Sequence, residues 1–168
     1  MENIPEVQFL EMKEEHLPIV REIYDYYVQN TTASFHTGSV SIKDLKEFIF
    51  IADPKYNSYL ILHEANICGY AYLTRFKKRE AYDRTAEITV YLKAGEIGKG
   101  IGRAALHYLE KKAIQNGIRV LIATISGSNK HSLHVFENCG YFCCGHFKQV
   151  GEKFGQVLDV FTYEKILE

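Results

Sequence analysis

The chain has 168 residues, of which 46% are hydrophobic and 24% are charged, and its formal net charge is −1. These values are typical of one folded domain, expected here over residues 1–168, and they exclude a strongly basic surface for nucleic acid or anionic lipid. No apolar run approaches the roughly 18 residues of a membrane span, and the first six residues lack the regions of a signal peptide. We therefore expect a cytoplasmic protein with no nucleic-acid or membrane partner.

Hydrophobic periodicity predicts strands and helices in alternation. In chain order it predicts a strand at 7–9, helices at 14–29 and 42–51, strands at 59–63, 68–76 and 86–92, a helix from 101 to Gly117, a strand at 119–125, a helix at 129–138, and strands at 141–150 and 156–163. Ser41 is the predicted N-cap of the second helix, and residues 64–66 are a predicted hairpin turn. Strand–helix–strand units among hairpins predict an α/β fold with a central mixed β-sheet and helices on both faces.

Cysteine spacing argues against a metal or redox site. The chain has four cysteines, Cys68, Cys139, Cys143 and Cys144, and no Cys-x-x-Cys or His-x-x-x-His pair. Structural zinc sites normally draw their ligands from such pairs. We therefore expect small buried thiols and no metal.

One segment, Gly98-Lys99-Gly100-Ile101-Gly102-Arg103, joins a predicted strand to a predicted helix. Glycines let a ligand approach the main chain, and free N–H groups at a helix start attract phosphate, with Lys99 and Arg103 adding positive charge. A Walker P-loop is excluded because Gly100, and not Ser or Thr, follows Lys99. A Rossmann fingerprint is excluded because Arg103 stands where its third glycine is needed. A flexible turn without a ligand is the alternative.

Placed between a strand and a long helix, Gly-x-Gly-x-Gly resembles the acyl-CoA signature of GNAT superfamily N-acetyltransferases. Four further motifs resemble the phosphinothricin and methionine sulfoximine acetyltransferases within that superfamily, and together they span nearly the whole chain. They are Asn30-Thr31-Thr32-Ala33-Ser34-Phe35, Lys77-x-Arg79-x-Ala81-Tyr82-Asp83-x-Thr85-Ala86-Glu87, Asn129-x-x-Ser132 and Gly151-x-Lys153-x-Gly155-x-x-x-Asp159. The resemblance implies a GNAT-like acyl-CoA N-acyltransferase fold.

The resemblance also implies acetyl-CoA as cosubstrate and direct transfer of its acetyl group to an amine. Glu87 is then the catalytic general base, since an attacking ammonium must first lose a proton; the alternative is a solvated strand carboxylate. The implied cofactor-binding residues are Val90, Tyr91, Leu92, Gly98, Lys99, Gly100, Ile101, Gly102, Arg103, Asn129 and Ser132. For Asn129, helix capping is a second reading compatible with the first.

The acceptor implied by the resemblance is the α-amino group of a small amino acid or analogue such as phosphinothricin, methionine sulfoximine or methionine sulfone. Its binding residues are expected among Phe35, Lys77, Arg79, Tyr82 and Thr85. Lysine and arginine suit the carboxylate of such an acceptor, although solvated surface cations are the alternative, and core packing is the alternative for Phe35. A homodimer is the implied assembly.

Two positions depart from the family pattern. Ile97 stands where a Gln or Arg usually opens the glycine motif, so contacts to the pyrophosphate must come chiefly from the main chain. Phe136 stands where some relatives carry a Tyr or His that acts as general acid, and phenylalanine has no proton to donate. His134 would project from a different side of the same helix.

Two other functions stay open from the sequence. The acceptor could be another amine, such as a polyamine, an aminoglycoside or a protein N-terminus, although Lys77 and Arg79 disfavour a polycation. The chain could instead be a non-catalytic acyl-CoA-binding or regulatory module, a reading that Ile97 and Phe136 favour and that Glu87 disfavours.

Overall fold

The structure is a computed structural model that describes residues 5–168. Its strands are β1 (Val7–Glu11), β2 (Ser58–His63), β3 (Asn66–Arg75), β4 (Thr85–Leu92), β5 (Val120–Ser126), β6 (Phe142–Lys153) and β7 (Gln156–Ile166). Its α-helices are α1 (Leu17–Asn30), α2 (Ile42–Leu45), α3 (Ile101–Gln115) and α4 (Lys130–Asn138). Single 3₁₀ turns occupy Glu14–His16, Glu80–Tyr82 and Ala94–Glu96.

The strands form a single seven-stranded sheet in the order β1-β2-β3-β4-β5-β7-β6. Neighbouring strands are antiparallel except for β4 and β5, which run parallel because α3 connects them as a crossover helix. The predicted mixed sheet is therefore confirmed, and its one parallel pair lies at the centre.

Helices cover both faces of the sheet, as the periodicity predicted. On one face, α3 and α4 pack on a core that includes Ile61, Leu73 and Ile88. On the other, α1 and α2 pack on a core that includes Leu60 and Tyr70. Burial of one such side chain contributes about 1.5–3 kcal/mol, so both layers stabilise the strands that carry the site.

The second predicted helix is much shorter than the sequence suggested. Ser41 caps it as predicted, since its hydroxyl accepts from the Asp44 N–H at 3.1 Å and its own N–H donates to the Asp44 carboxylate at 2.9 Å. The α-helix nevertheless ends at Leu45, and a turn follows at residues 46–48. Leu45 and Ile49 are both buried, so the helical spacing of apolar residues reflects burial of a turn.

The last hairpin is longer than predicted. The tip between β6 and β7 is closed by Phe154 and Gly155, both with positive φ. Val160 of β7 pairs with Ser126, the last residue of β5. Residues 156–159 and their partners in β6 therefore extend beyond the end of β5, towards the loop that follows α1.

All four cysteines are free thiols, but only two of them match the prediction of burial. Cys68 and Cys139 are buried, whereas Cys143 and Cys144 are exposed on β6. Cys144 lies at a register shift, directly after Cys143, in an edge strand. Within residues 5–168, no helix is long and apolar enough to cross a membrane, and no three His, Cys, Asp or Glu side chains group as metal ligands.

Candidate active site

The site begins where the parallel strands separate. β4 pairs with β5 only from Thr85 to Glu87, opposite Val120–Ile122. Beyond Glu87 the two strands diverge and open a cavity of about 670 Å³. The other edge of β4 stays paired with β3 as far as Leu92. Main-chain groups on the β4 edge that faces the cavity thus have no strand partner in the described chain, so they pair with side chains, a ligand or water.

Five consecutive residues of β4, from Ile88 to Leu92, line this cavity. Their side chains alternate between the two faces of the sheet, and the N–H and C=O groups of alternate residues point to the edge that β5 leaves unpaired. Val90, Tyr91 and Leu92 were predicted to bind the cofactor, and this edge brings them together.

The glycine segment closes one end of the cavity. Gly98 and Gly100 both have left-handed φ values, +86° and +80°, which glycine adopts without steric strain. Gly100 is the N-cap of α3 and offers no side chain to its first turn. The first N–H groups of this 15-residue helix are therefore available to an anion, with the positive end of the helix dipole behind them.

Of the six residues in the glycine segment, five line the cavity: Gly98, Lys99, Gly100, Gly102 and Arg103. The exception is Ile101, whose side chain is completely buried in the core. Only the main chain of Ile101 can therefore contribute to the predicted cofactor contact. Ile97, which interrupts the family pattern, also lines the cavity.

The ammonium of Lys99 is paired with a carboxylate. It lies 3.2 Å from an oxygen of Glu96, and the same oxygen lies 3.1 Å from Nδ1 of His63. The hydrogen bond from Lys99, followed by that from His63, lowers the pKa of Glu96. Because Lys99 is nearly half exposed, it can exchange this partner for a phosphate at small energetic cost.

The α4 helix forms the opposite wall of the cavity. Asn129 is its N-cap and accepts from the Ser132 N–H at 3.2 Å, so the capping role of Asn129 is confirmed. Both residues line the cavity, and the Asn129 amide nitrogen carries two donors that can face a ligand. Phe136 also lines the wall, whereas His134 lies outside it and bonds to Asn138.

Glu87 lies on the opposite face of β4 from Ile88, next to the point where the strands separate. It pairs with Thr74 on β3 and Ile122 on β5, and its neighbours Ala86 and Ile88 are buried. Partial burial raises the pKa of Glu87, and the attraction of nearby Lys77 opposes that shift only in part. Glu87 does not line the cavity, but the next residue, Ile88, does.

The predicted acceptor residues fall into two groups. Lys77 lies near Glu87, with its ammonium 5.0 Å from the ring centre of Phe76, and Tyr82 packs edge-on against the same ring at 5.7 Å. Arg79 is exposed just before the 3₁₀ turn that carries Tyr82, and Thr85 opens β4. None of these residues lines the cavity.

Phe35 belongs to a different part of the site, the loop after α1. It is 42% exposed, so the alternative of ordinary core packing is wrong. Its ring lies against Gly151 of β6, and Ala33, two residues earlier, lines the cavity.

Sequence reasoning missed several residues of the cavity. Tyr27 lines it and donates its hydroxyl to the carbonyl oxygen of Leu92. In the sequence Tyr27 fits the apolar stripe of α1, so its polar end gave no separate signal. The other missed lining residues are Ala33, Ile88, Thr89, Leu106, Ala123, Thr124, Ile125, Ser126, His131, Val135 and Asn138.

Comparison with known proteins agrees with this geometry. The family model of the acetyltransferase (GNAT) domain matches residues 12–161. A phosphinothricin N-acetyltransferase from Alcaligenes faecalis is 31% identical over 158 residues, 93% of this chain and 80% of that protein. An L-methionine sulfoximine/L-methionine sulfone acetyltransferase from Pseudomonas aeruginosa is 30% identical over 146 residues, 86% of this chain and 85% of that protein.

Among solved structures, the chain is similar to a GNAT superfamily phosphinothricin acetyltransferase from Sinorhizobium meliloti in complex with AcCoA. The TM-score is 0.88 at 28% identity, over 96% of this chain and 88% of that one. With the matched domain, the splayed parallel strands and the glycine segment in agreement, the chain belongs to the GNAT family of N-acetyltransferases.

Proposed function

We propose that this protein transfers the acetyl group of acetyl-CoA directly to the α-amino group of a small amino acid or analogue of the phosphinothricin, methionine sulfoximine or methionine sulfone type. The observation that carries the proposal is that β4 presents different groups to its two sides. The strand presents a main-chain edge and a phosphate-binding loop to one cavity, and a partly buried carboxylate, Glu87, to the opposite face of the sheet. Donor and acceptor can therefore approach from different sides.

The described residues fit acetyl-CoA. The N–H groups of residues 98–103 suit its pyrophosphate, with Lys99 and Arg103 supplying positive charge. The free edge of β4 from Val90 to Leu92 suits the amide groups of the pantetheine arm, and Asn129 and Ser132 contribute from α4. Acetyl-CoA supplies a thioester carbonyl as the electrophile.

Glu87 is the proposed general base. An α-amino group is mostly protonated near neutral pH, and only the neutral amine attacks a thioester. A carboxylate of raised pKa accepts that proton better than an ordinary glutamate. A main-chain N–H on the free edge of β4 would stabilise negative charge on the carbonyl oxygen during attack.

The acceptor carboxylate is proposed to bind near Lys77, with Arg79, Tyr82 and Thr85 in the same group and Phe35 forming an aromatic wall. In an α-amino acid the amine and the carboxylate share one carbon. Lys77 acts electrostatically on Glu87, so a cation for the carboxylate lies beside the base for the amine. This pairing favours an amino acid over a polyamine.

Phe136 has no proton to give to the departing thiolate, although it occupies the cavity wall. We propose that the thiolate leaves unprotonated or takes its proton from water.

The proposed assembly is a homodimer in the cytoplasm. β6 is an edge strand whose exposed apolar residues include Phe142 (50%), Phe147 (55%) and Val150 (57%), an arrangement that a second copy of the chain would cover. Four free cysteines fit a reducing compartment.

An acceptor screen tests the reaction class. The purified protein is incubated with acetyl-CoA and, separately, amino acids, sulfoximines, sulfones, polyamines and aminoglycosides, and free thiol release is followed with acetylated product confirmed by mass spectrometry. Release with amino acid analogues supports the proposal. Release only with polyamines or aminoglycosides contradicts the acceptor class, and no release with any amine contradicts the activity.

A further inference from the structure

A buried lysine outside the proposed reaction holds the loop after α1. Lys153, the last residue of β6, is only 3% exposed, and its ammonium donates to the carbonyl oxygen of Ser34 at 2.7 Å. Burial lowers its pKa, and within residues 5–168 no carboxylate pairs with it. A buried cation with no opposite charge is costly. This contact between residues 119 positions apart is therefore a candidate for a specific role.

Ser34 is also held from its other side. Its hydroxyl lies 2.9 Å from the hydroxyl of Tyr24 on α1, and Ser34 is itself 3% exposed. The Tyr24 ring packs edge-on against Tyr91, with ring centres 5.4 Å apart, and Tyr91 lines the cavity. Ser34 is thus fixed between the β6–β7 hairpin and the helix that borders the acetyl-CoA cavity.

The next residue, Phe35, depends on the absence of a side chain at Gly151. A Cβ atom placed on Gly151 would lie 2.3 Å from Cε1 and 2.9 Å from Cδ1 of the Phe35 ring. Real Cβ atoms essentially never approach so closely, so residue 151 must be glycine for the ring to keep this position. Gly151 and Lys153 lie two residues apart on β6 and contact two consecutive residues of the loop.

We propose that Gly151 and Lys153 form a clamp that sets the position of Phe35 and so determines which acceptor side chains the enzyme accepts. The inference rests on the proposed function, because it takes Phe35 as a wall of the acceptor pocket. Lys153 and Gly151 are positioning residues: neither lines the acetyl-CoA cavity, and they act through Ser34 and Phe35. Because Phe35 is held through the neighbouring backbone and by its contact with Gly151, its ring forms a rigid wall that discriminates among acceptors by size and shape.

The clamp is measurable without any acceptor, because the chain contains no tryptophan. The variant Phe35→Trp places a single tryptophan on the loop as the fluorescent probe. Adding Lys153→Met should raise acrylamide quenching of this tryptophan about twofold, since a loop without its anchor opens more often. Lys148→Met, at an exposed lysine of the same strand, is the matched control and should leave quenching unchanged. Equal quenching with and without Lys153→Met would overturn the clamp.

Kinetics then test the consequence for acceptor choice. Lys153→Met should raise the KM for the amino acid acceptor about tenfold, the size expected for loss of one hydrogen bond from a charged group. The KM for acetyl-CoA should stay within about twofold, because the phosphate loop is untouched, and Lys153→Arg should recover part of the loss. The role of the clamp in specificity would be overturned if Lys153→Met folds and raises acrylamide quenching of the loop tryptophan but leaves the acceptor KM normal.

Gly151→Ala gives an independent arm should Lys153→Met fail to fold. The added methyl group should displace Phe35 and change the ranking of acceptors by side-chain size. In the double variant Gly151→Ala with Phe35→Leu, the smaller leucine side chain should restore part of the original acceptor KM. Additive effects of the two substitutions would contradict the clamp. If the wild-type protein acetylates no amino acid, the proposed function fails, while the tryptophan experiment still decides whether the clamp exists.

Discussion

At the scale of single residues, Glu87 is placed in an environment that works against its own ionisation. It lies between two buried strand neighbours, and burial outweighs the attraction of Lys77 in setting its pKa. A folded-state pKa above the unfolded value means that the folded protein binds the proton more tightly. Stability linked to Glu87 is therefore greatest at low pH and is lost as pH rises through the folded-state pKa. The ionised carboxylate of Glu87, which we propose for catalysis, should thus lower the free energy of unfolding at neutral pH.

Glu87→Gln should separate these two effects. We expect kcat to fall by about 10²-fold or more through loss of the base, whereas the affinity for acetyl-CoA should be unchanged. The melting temperature at neutral pH should be equal to or higher than that of the wild type, because a neutral amide removes the burden of a half-buried charge. Calorimetry and steady-state kinetics measure both quantities.

Glu47→Gln, at an exposed glutamate outside the site, is the control for loss of a negative charge and should alter neither quantity. In the wild type, kcat/KM should decline on acidification at a pH above 4.5, the ordinary pKa of glutamate. Unchanged acetylation by Glu87→Gln would remove Glu87 from the mechanism.

At the scale of elements, the junction of β4, the glycine loop and α3 is the proposed phosphate-binding unit. Its two left-handed glycines serve different needs. A Cβ on Gly100 would lie 3.3 Å from Pro5, whereas a Cβ on Gly98 would meet no atom within 4 Å. The space beside Gly98 belongs to the cavity, and we expect the ligand to use it.

Gly98→Ala therefore has a well-matched control in Gly117→Ala, at the end of α3. Both positions have left-handed φ, +86° and +80°, and neither Cβ would meet a neighbour. Each substitution should lower the free energy of unfolding by about 1–2 kcal/mol through backbone strain. Only Gly98→Ala should also weaken acetyl-CoA binding, by about tenfold or more, as measured by isothermal titration calorimetry. Equal affinities in the two variants would contradict the proposed cradle.

Elements could be predicted from the sequence wherever a periodic pattern ended in a local signal. The Ser41 cap, the turn at residues 64–66 and the stop at Gly117 all depend on neighbours in the chain, and each is present. The length of α2 depends on tertiary packing: Ile49 is buried whether its backbone is helical or turned. Tertiary packing also decides whether a cysteine is buried, which explains why burial was predicted for the exposed Cys143 and Cys144.

At the scale of the whole molecule, the sheet has two unlike edges. β1 and β6 are the outermost strands. Leu10 on β1 is 46% exposed, whereas β6 and its partner β7 expose a series of apolar side chains that includes Phe147, Val150 and Val157. The proposed homodimer uses the β6 side.

Phe147→Lys together with Val150→Lys should convert the protein to a monomer, because buried like charges would face each other across the two-fold axis. Light scattering after gel filtration should give twice the monomer mass for the wild type and the monomer mass for the variant. Leu10→Lys, at the opposite edge, is the control and should stay dimeric. A wild type that is monomeric at micromolar concentration contradicts the assembly.

The glycine segment could be placed at the cavity from the sequence because its residues are consecutive in the chain. The remaining cavity residues come from α1 and the loop after it, β4, α3, β5 and α4, and they meet because β4 and β5 separate after Glu87. Nothing in the alternation of either strand marks the residue at which a parallel pair diverges. Tyr27 was missed for the same reason, since its partner, the Leu92 carbonyl, is 65 residues away.

The free edge of β4 has a consequence for resistance of the enzyme to inhibitors. The residues that direct N–H and C=O groups to this edge use main-chain groups that every non-proline residue carries, so replacing one side chain leaves those groups in place. An inhibitor that pairs with this edge as an added strand would leave the enzyme few single-substitution routes of escape. An inhibitor that relies on the Phe35 side chain would lose its binding through one substitution at that position.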